Sequence, residues 1–253
     1  VNVNCWCTLA AGSDSIQAGE QVTISYGPWP TEPLLLLFGF VPQHNPHDSL
    51  VLFSDLQHMA DCWLEMLNSS SNSSNSSGGG GSADQWLGLG ADPAFAELLH
   101  EQLSVAEQAA AAGDENGTQR QTGGPPGFRD LALSAGATAD VRLSAGLQLL
   151  QQAVGAAIQQ WHRQGFSNLQ QQESAQLQEG LKQQVPAVVQ HRLQELAQQL
   201  EASAAAAADS SGDEQTEVVN GSIRYHTSAE HRSLIASYCS SKAKLARQLL
   251  AML

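Results

Sequence analysis

The chain has 253 residues and a formal net charge of −14 at pH 7, enough length to bury a core in one or two domains without a disulfide staple. The first Lys or Arg is Arg120, while residues 1–119 carry 14 Asp and Glu, so the net charge belongs to the front half. The chain therefore lacks the basic footprint that binding a nucleic acid requires, and no apolar run approaches the roughly 18 residues of a membrane span.

The acidic face would serve solubility or attract basic protein segments. The chain begins at Val1, with what reads as a strand already in progress, and is expected to be a fragment or a processed product with any targeting signal upstream. Val1, Val3, Cys5 and Cys7 alternate with Asn2, Asn4, Trp6 and Thr8, the period of a strand. Two ligands do not close a zinc shell, so Cys5 and Cys7, like Cys62 and Cys239, read as buried thiols of a reducing compartment; a partial metal or redox site is the alternative.

The stretch from Ala18 to Gly27 reads as a second strand, with Val22, Ile24 and Tyr26 on one face and Thr23 and Ser25 on the other. A short helix is predicted between Thr31 and Phe38, with Thr31 as N-cap, Pro33 in the first turn and Gly39 just past the end. Asn45-Pro-His-Asp-Ser49 reads as a turn before the apolar run Leu50-Val-Leu-Phe53.

Nearly everything after Ser54 reads as helix, which puts a domain boundary there: 1–53 and 54–253. Leu56, Ala60, Trp63 and Leu67 recur at helical spacing. Asp92 and Pro93 open a helix carrying Phe95, Leu98, Leu99 and Val105. From about Asp140 to His162, Leu143, Leu147, Leu150, Val154, Ile158 and Trp161 form one stripe that Gly165 ends. Asn168 to Gln184 is weakly amphipathic. Val185, Val189, Leu193, Leu196 and Leu200 make a further helix, and Ser228 caps a last one with Leu234, Ile235, Tyr238, Leu245, Leu249 and Met252.

Three tracts, 68–82, 113–127 and 204–217, read as disordered, solvated insertions, because such compositions bury too little apolar surface to offset the entropy of ordering. The Asn-x-Ser/Thr sequons at Asn68, Asn72 and Asn75 are a by-product of that low complexity. The eight histidines are scattered without helical ligand spacing, so no metal is expected and they read as surface or capping groups. The glycines at 78–81 follow no strand and precede no Lys-Ser/Thr, which excludes a phosphate loop.

One constellation remains: Gly19-Glu-Gln-Val-Thr-Ile-Ser-Tyr-Gly27, then Glu32-Pro-Leu-Leu-Leu-Leu-Phe-Gly-Phe40, then Asn45-Pro-His-Asp48. It resembles the C-terminal end of the SET domain, in the branch that contains the Rubisco large-subunit lysine methyltransferase. The sharp similarity covers Gln17 to Phe53, and the helices after Ser54 match in position the all-helical substrate-binding domain of that branch. The resemblance implies an α+β chain, a β-rich SET fragment followed by a helical domain, acting in S-adenosylmethionine-dependent methyl transfer to a protein lysine.

By the same resemblance Tyr26 takes the place of the catalytic tyrosine. Methyl transfer from a sulfonium to a neutral amine needs orientation and a fixed dipole rather than a strong base, and a phenol stays protonated at neutral pH. Phe38 matches an aromatic, often tyrosine, that walls the S-adenosylmethionine and lysine channel. Relatives favour Asn where Thr31 stands and Glu where Pro33 stands. Asn45 and Asp48 read as turn formers first and functional residues second.

The family's Asn-His motif and Gly-rich cofactor segment precede this strand and are absent from these 253 residues. The chain alone is therefore expected to grip a protein partner without binding S-adenosylmethionine. The competing reading is a non-catalytic helical protein-binding module, whereas a coiled coil fits poorly with stripes that break at short intervals. The acceptor could be lysine or histidine, the oligomeric state is open, and the resemblance leaves chloroplast, cytosol and nucleus as compartments.

Overall fold

A computed structural model describes residues 19, 26–72, 89–112, 128–136, 140–165, 171–209, 217–220, 223–226 and 229–253. The expected strand over 1–8, most of the one ending at Tyr26, the tract 113–127 and the cap at Ser228 lie outside the described residues. In chain order the elements are α1 Thr31–Phe38, β1 Ser49–Phe53, α2 Leu56–Asn72, a 3₁₀ turn Leu89–Ala91, α3 Pro93–Ala112 and β2 Leu131–Ser134. They continue with α4 Val141–Arg163, α5 Gln171–Gln184, α6 Ala187–Asp209, β3 Glu217–Asn220, β4 Ile223–His226 and α7 Ala229–Met252. The described residues are mostly helix with two two-stranded antiparallel pairs, β1–β2 and β3–β4, an α+β composition.

The first helix covers the predicted residues, but its cap differs. Pro30 occupies the N-cap with no side-chain hydrogen bond, and Thr31 is already helical. The Thr31 N–H donates to Asp48 Oδ1 at 3.0 Å, so a carboxylate 17 positions away satisfies one of the free donors of the first turn. At the other end Gly39 takes φ 75° and donates its N–H to the Leu35 carbonyl, a left-handed cap that a side chain would strain.

β1 pairs with β2, a strand that the sequence reading did not foresee. Ser49 lies opposite Ser134, Leu50 opposite Leu133 and Val51 opposite Ala132, and then the register slips so that Phe53 faces Leu131. Leu52 is the extra residue, and its carbonyl accepts from Arg192 Nε of α6 at 3.1 Å. A guanidinium thus satisfies the acceptor that the irregular ladder leaves over.

Leu50, Leu52 and Phe53 of β1 bury in the same core as Met59 and Trp63 of α2, Phe95 and Leu99 of α3, Leu150 and Val154 of α4, and Leu193 of α6. The stripes on α2 and α4 fall as periodicity predicts, with Leu147 and Trp161 partly buried against the core. On α3 Phe95, Leu98 and Leu99 are buried as expected, and so is Leu103, while Val105 is exposed. Asp92 caps α3, its Oδ1 accepting from Ala94 N at 2.9 Å.

Other expectations shift at element ends. Val185 is buried but lies in the turn before α6, and Ile235 and Met252 are exposed on α7. Helix α2 runs through Asn72 and α6 through Asp209, so 68–72 and 204–209 are helical rather than disordered, although Asn68, Ser69 and most of 204–209 are exposed as expected, and Glu217 opens β3. Alanine-rich 204–208 continues α6 because alanine has the best intrinsic helix propensity. No described helix is long and apolar enough to cross a membrane.

Two consequences are measurable. A Cβ on Gly90 would lie 2.6 Å from the Leu64 carbonyl oxygen, so Gly90→Ala should cost about 1–3 kcal/mol and lower the urea midpoint. Burial pushes the Cys62 thiol from 9.0 up to about 11. The folded state thus holds a proton that the unfolded chain loses: the contribution is full below pH 9.0 and is lost as pH rises towards about 11. Unfolding midpoints across that range should fall more steeply for the wild type than for Cys62→Ala.

Candidate functional site

The segment from Tyr26 to Asp48 gathers two clusters around α1, one aromatic and one polar. At the C-terminal end of the helix the Tyr26 ring lies 4.2 Å from the Phe38 ring, centroid to centroid, with a 41° tilt, and 5.9 Å from the Phe40 ring. Tyr26 itself sits in irregular backbone before Gly27. The rings are brought together because α1 carries Phe38 to its last turn and Gly39 reverses the chain to present Phe40.

This aromatic cluster faces outward: Tyr26 and Phe38 are each 44% exposed and Phe40 38%. Leu36 and Leu37 on the same helix are more exposed still, so α1 shows an apolar outer surface. Exposed π faces attract cations such as ammonium or sulfonium groups by their quadrupole. At 4.2 Å the Tyr26 and Phe38 rings are in mutual contact, so the surface offered to a ligand is their outer face.

At the N-terminal end of α1 the polar cluster buries Thr31, Asp48 and Lys242, with Glu32, Asn45 and Tyr238 half-buried around them. Asp48 closes the turn by donating its N–H to the Asn45 carbonyl, and its carboxylate Oδ1 accepts from Thr31 N at 3.0 Å and Ser49 N at 3.1 Å. The same oxygen accepts from Lys242 Nζ of α7 at 2.7 Å. Lys242 also donates to the Ser49 carbonyl at 2.7 Å and to Glu32 Oε1 at 2.7 Å. Tyr238, one turn earlier on α7, donates its hydroxyl to Glu32 Oε1 at 3.2 Å; burial first, and the Glu32 charge second, push its phenol above the usual range. Asn45 completes the group, its amide donating to the Trp29 carbonyl at 3.0 Å and to Thr31 Oγ1 at 3.3 Å.

Lys242 is 1% exposed and Asp48 4%. An ammonium has three donors and no acceptor, and Asp48, Glu32 and the Ser49 carbonyl use all three. A charge that is buried and then deprived of its partner is costly, whereas the intact pair adds little net stability. The cluster therefore acts as a constraint on geometry more than as a reserve of free energy. Beside it a polar recess of about 240 Å³ is lined by His44, Asn45, Asp48, Ser241, Lys244 and Gln248, among others.

Tyr26 and Phe38, the residues that the sequence resemblance singles out, are thus neighbours. Asn45 and Asp48, expected mainly as turn formers, also bridge α1 to the rest of the fold. Sequence reasoning missed Lys242, Tyr238 and Glu32 as parts of one cluster. A signal for Lys242 exists, since it stands between Tyr238, Leu245 and Leu249 at intervals of four and three on the apolar stripe of α7. Among the described residues no group of three or more His, Cys, Asp or Glu could hold a metal ion.

Comparison with protein families, with curated proteins and with solved structures finds no match to this chain.

Asp48→Ala should leave the Lys242 ammonium buried with one carboxylate fewer and cost about 3–5 kcal/mol. Urea unfolding followed by circular dichroism measures it, and a loss below about 1 kcal/mol would show that the cluster is solvated rather than buried.

Proposed function

We propose that this chain is the C-terminal part of a protein-lysine methyltransferase of the SET type that uses S-adenosylmethionine, with the helices after Ser54 as the platform for the protein substrate. The observation that carries the reading is the contact of Tyr26 with Phe38 at 4.2 Å. The sequence resemblance gives these two residues to one channel, and they meet although twelve positions separate them. The α1 that holds Phe38 and the Asn45–Asp48 turn that anchors it complete the arrangement.

S-adenosylmethionine supplies a methyl group made electrophilic by its sulfonium. The outer faces of Tyr26, Phe38 and Phe40 form an electron-rich wall that suits such a cation, and this is the extent of the fit that these residues offer. The Tyr26 hydroxyl would orient the attacking amine and hold its lone pair in line. Orientation of this kind needs no covalent enzyme intermediate. The amine loses its proton to solvent.

Tyr26→Phe keeps the ring packing and removes the hydroxyl. Methyl transfer by the complete gene product to its protein substrate should then fall by about 10²–10³-fold, the usual cost of one oriented polar group. Unchanged transfer would sink the assignment.

The exposed Leu36, Leu37 and Phe40 favour a second reading, a non-catalytic protein-binding module. That reading expects a calorimetric titration in which a protein partner binds and S-adenosylmethionine does not, with transfer absent from the complete gene product as well.

A further inference from the structure

The first helix is poorly equipped to hold its own position. It has eight residues, too few for an isolated helix to be stable in water, and it buries only Thr31 and Leu34. Its last turn carries Leu36, Leu37 and Phe38, all exposed. Both of its first two residues, in contrast, are tied by polar bonds. Thr31 donates to Asp48, and Glu32 accepts from Lys242 and Tyr238. Both ties converge on Lys242, which binds Asp48 and Glu32 at 2.7 Å each from a helix that begins about 200 residues later in the chain.

We propose that Lys242, through Glu32 and Asp48, is the positioning residue for the Tyr26–Phe38 site, fixing the angle at which α1 presents Phe38. The geometry makes the effect large. With a rise of about 1.5 Å per residue, Phe38 lies about 9 Å along the helix from Glu32, so a tilt of about 10° at the first turn moves its ring by about 1.6 Å. Displacements of about 1 Å in a reacting site cost on the order of 10²-fold in rate. The Tyr238 hydroxyl assists by occupying the second acceptor direction of Glu32 Oε1, and the Tyr238 ring lies 5.8 Å from the Lys242 ammonium. No other cation among the described residues bonds Glu32 or Asp48.

The catalytic side of this inference rests on the methyl-transfer reading; the positioning side does not, and the test separates them. 4-Fluorophenylalanine placed at position 38 reports the ring contact by its ¹⁹F resonance, with Tyr26→Leu giving the value for a lost contact. Lys242→Met should shift the resonance towards that value. In the complete gene product it should also lower kcat for methyl transfer by about 10-fold or more, with KM for the protein substrate little changed, as expected when a contact made only in the transition state is lost. Tyr238→Phe, which removes a single bond, should shift the resonance the same way but less, and it carries the test if Lys242→Met does not fold. Asp92→Ala, which weakens the cap of α3, should destabilise the fold and leave the resonance in place.

A resonance unmoved in the folded Lys242→Met or Tyr238→Phe variants would overturn the proposal. So would an equal shift in Asp92→Ala, or a loss of fold in both variants, since either makes Lys242 a general structural residue. If the wild-type complete gene product transfers no methyl group, the functional reading fails, and the ¹⁹F shift still decides whether Lys242 sets the ring contact.

Discussion

An ammonium taken out of water needs an acceptor for each of its three protons, and Lys242 finds them on α1, on the turn before β1 and on the β1 backbone. Those acceptors come from segments that share little apolar contact. α1 buries two residues, while β1 belongs to the main core. The lysine joins the motif-bearing segment to the helical body in a way that packing alone would not. Replacement of such a group by an apolar one is often tolerated energetically elsewhere, which places its value here in orientation. The aromatic pair at the far end of α1 then inherits a fixed position from a bond made at the near end.

Much of the architecture was legible because helical periodicity is a strong signal over many turns. Leu143, Leu150, Val154 and Ile158 state the inner face of α4 without ambiguity, and Leu56, Ala60, Trp63 and Leu67 do so for α2. Short elements were not legible. β2 has four residues and acquires its identity from β1, a partner some eighty positions earlier. The cap of α1 was misread because the donor at Thr31 is satisfied by Asp48, a tertiary bond that local rules cannot see. The ends of α2 and α6 ran past their apolar stripes because serine- and alanine-rich sequence can prolong a helix that is already nucleated.

The site followed the same division. The neighbourhood of Tyr26 and Phe38 could be anticipated from a linear pattern, since both stand within one short stretch around α1. Glu32 and Tyr238 gave no local sign of pairing, because their bond spans the chain and depends on how α7 packs. Lys242 broke an apolar stripe, a departure that periodicity alone would treat as noise, and that departure marks the buried charge. Where sequence consistency fails inside a well-formed element, a tertiary constraint is a reasonable first explanation.

The bond between Leu52 and Arg192 and the one between Asp48 and Lys242 both close very long stretches of chain, 140 and 194 positions. Loop-closure entropy grows only logarithmically, so doubling such a stretch costs about 0.6 kcal/mol. Added length in a connection between the helices therefore weakens such a tie only slightly. A protein held together by such distant ties is tolerant of insertion in its connections and intolerant of change at the few residues that make the ties.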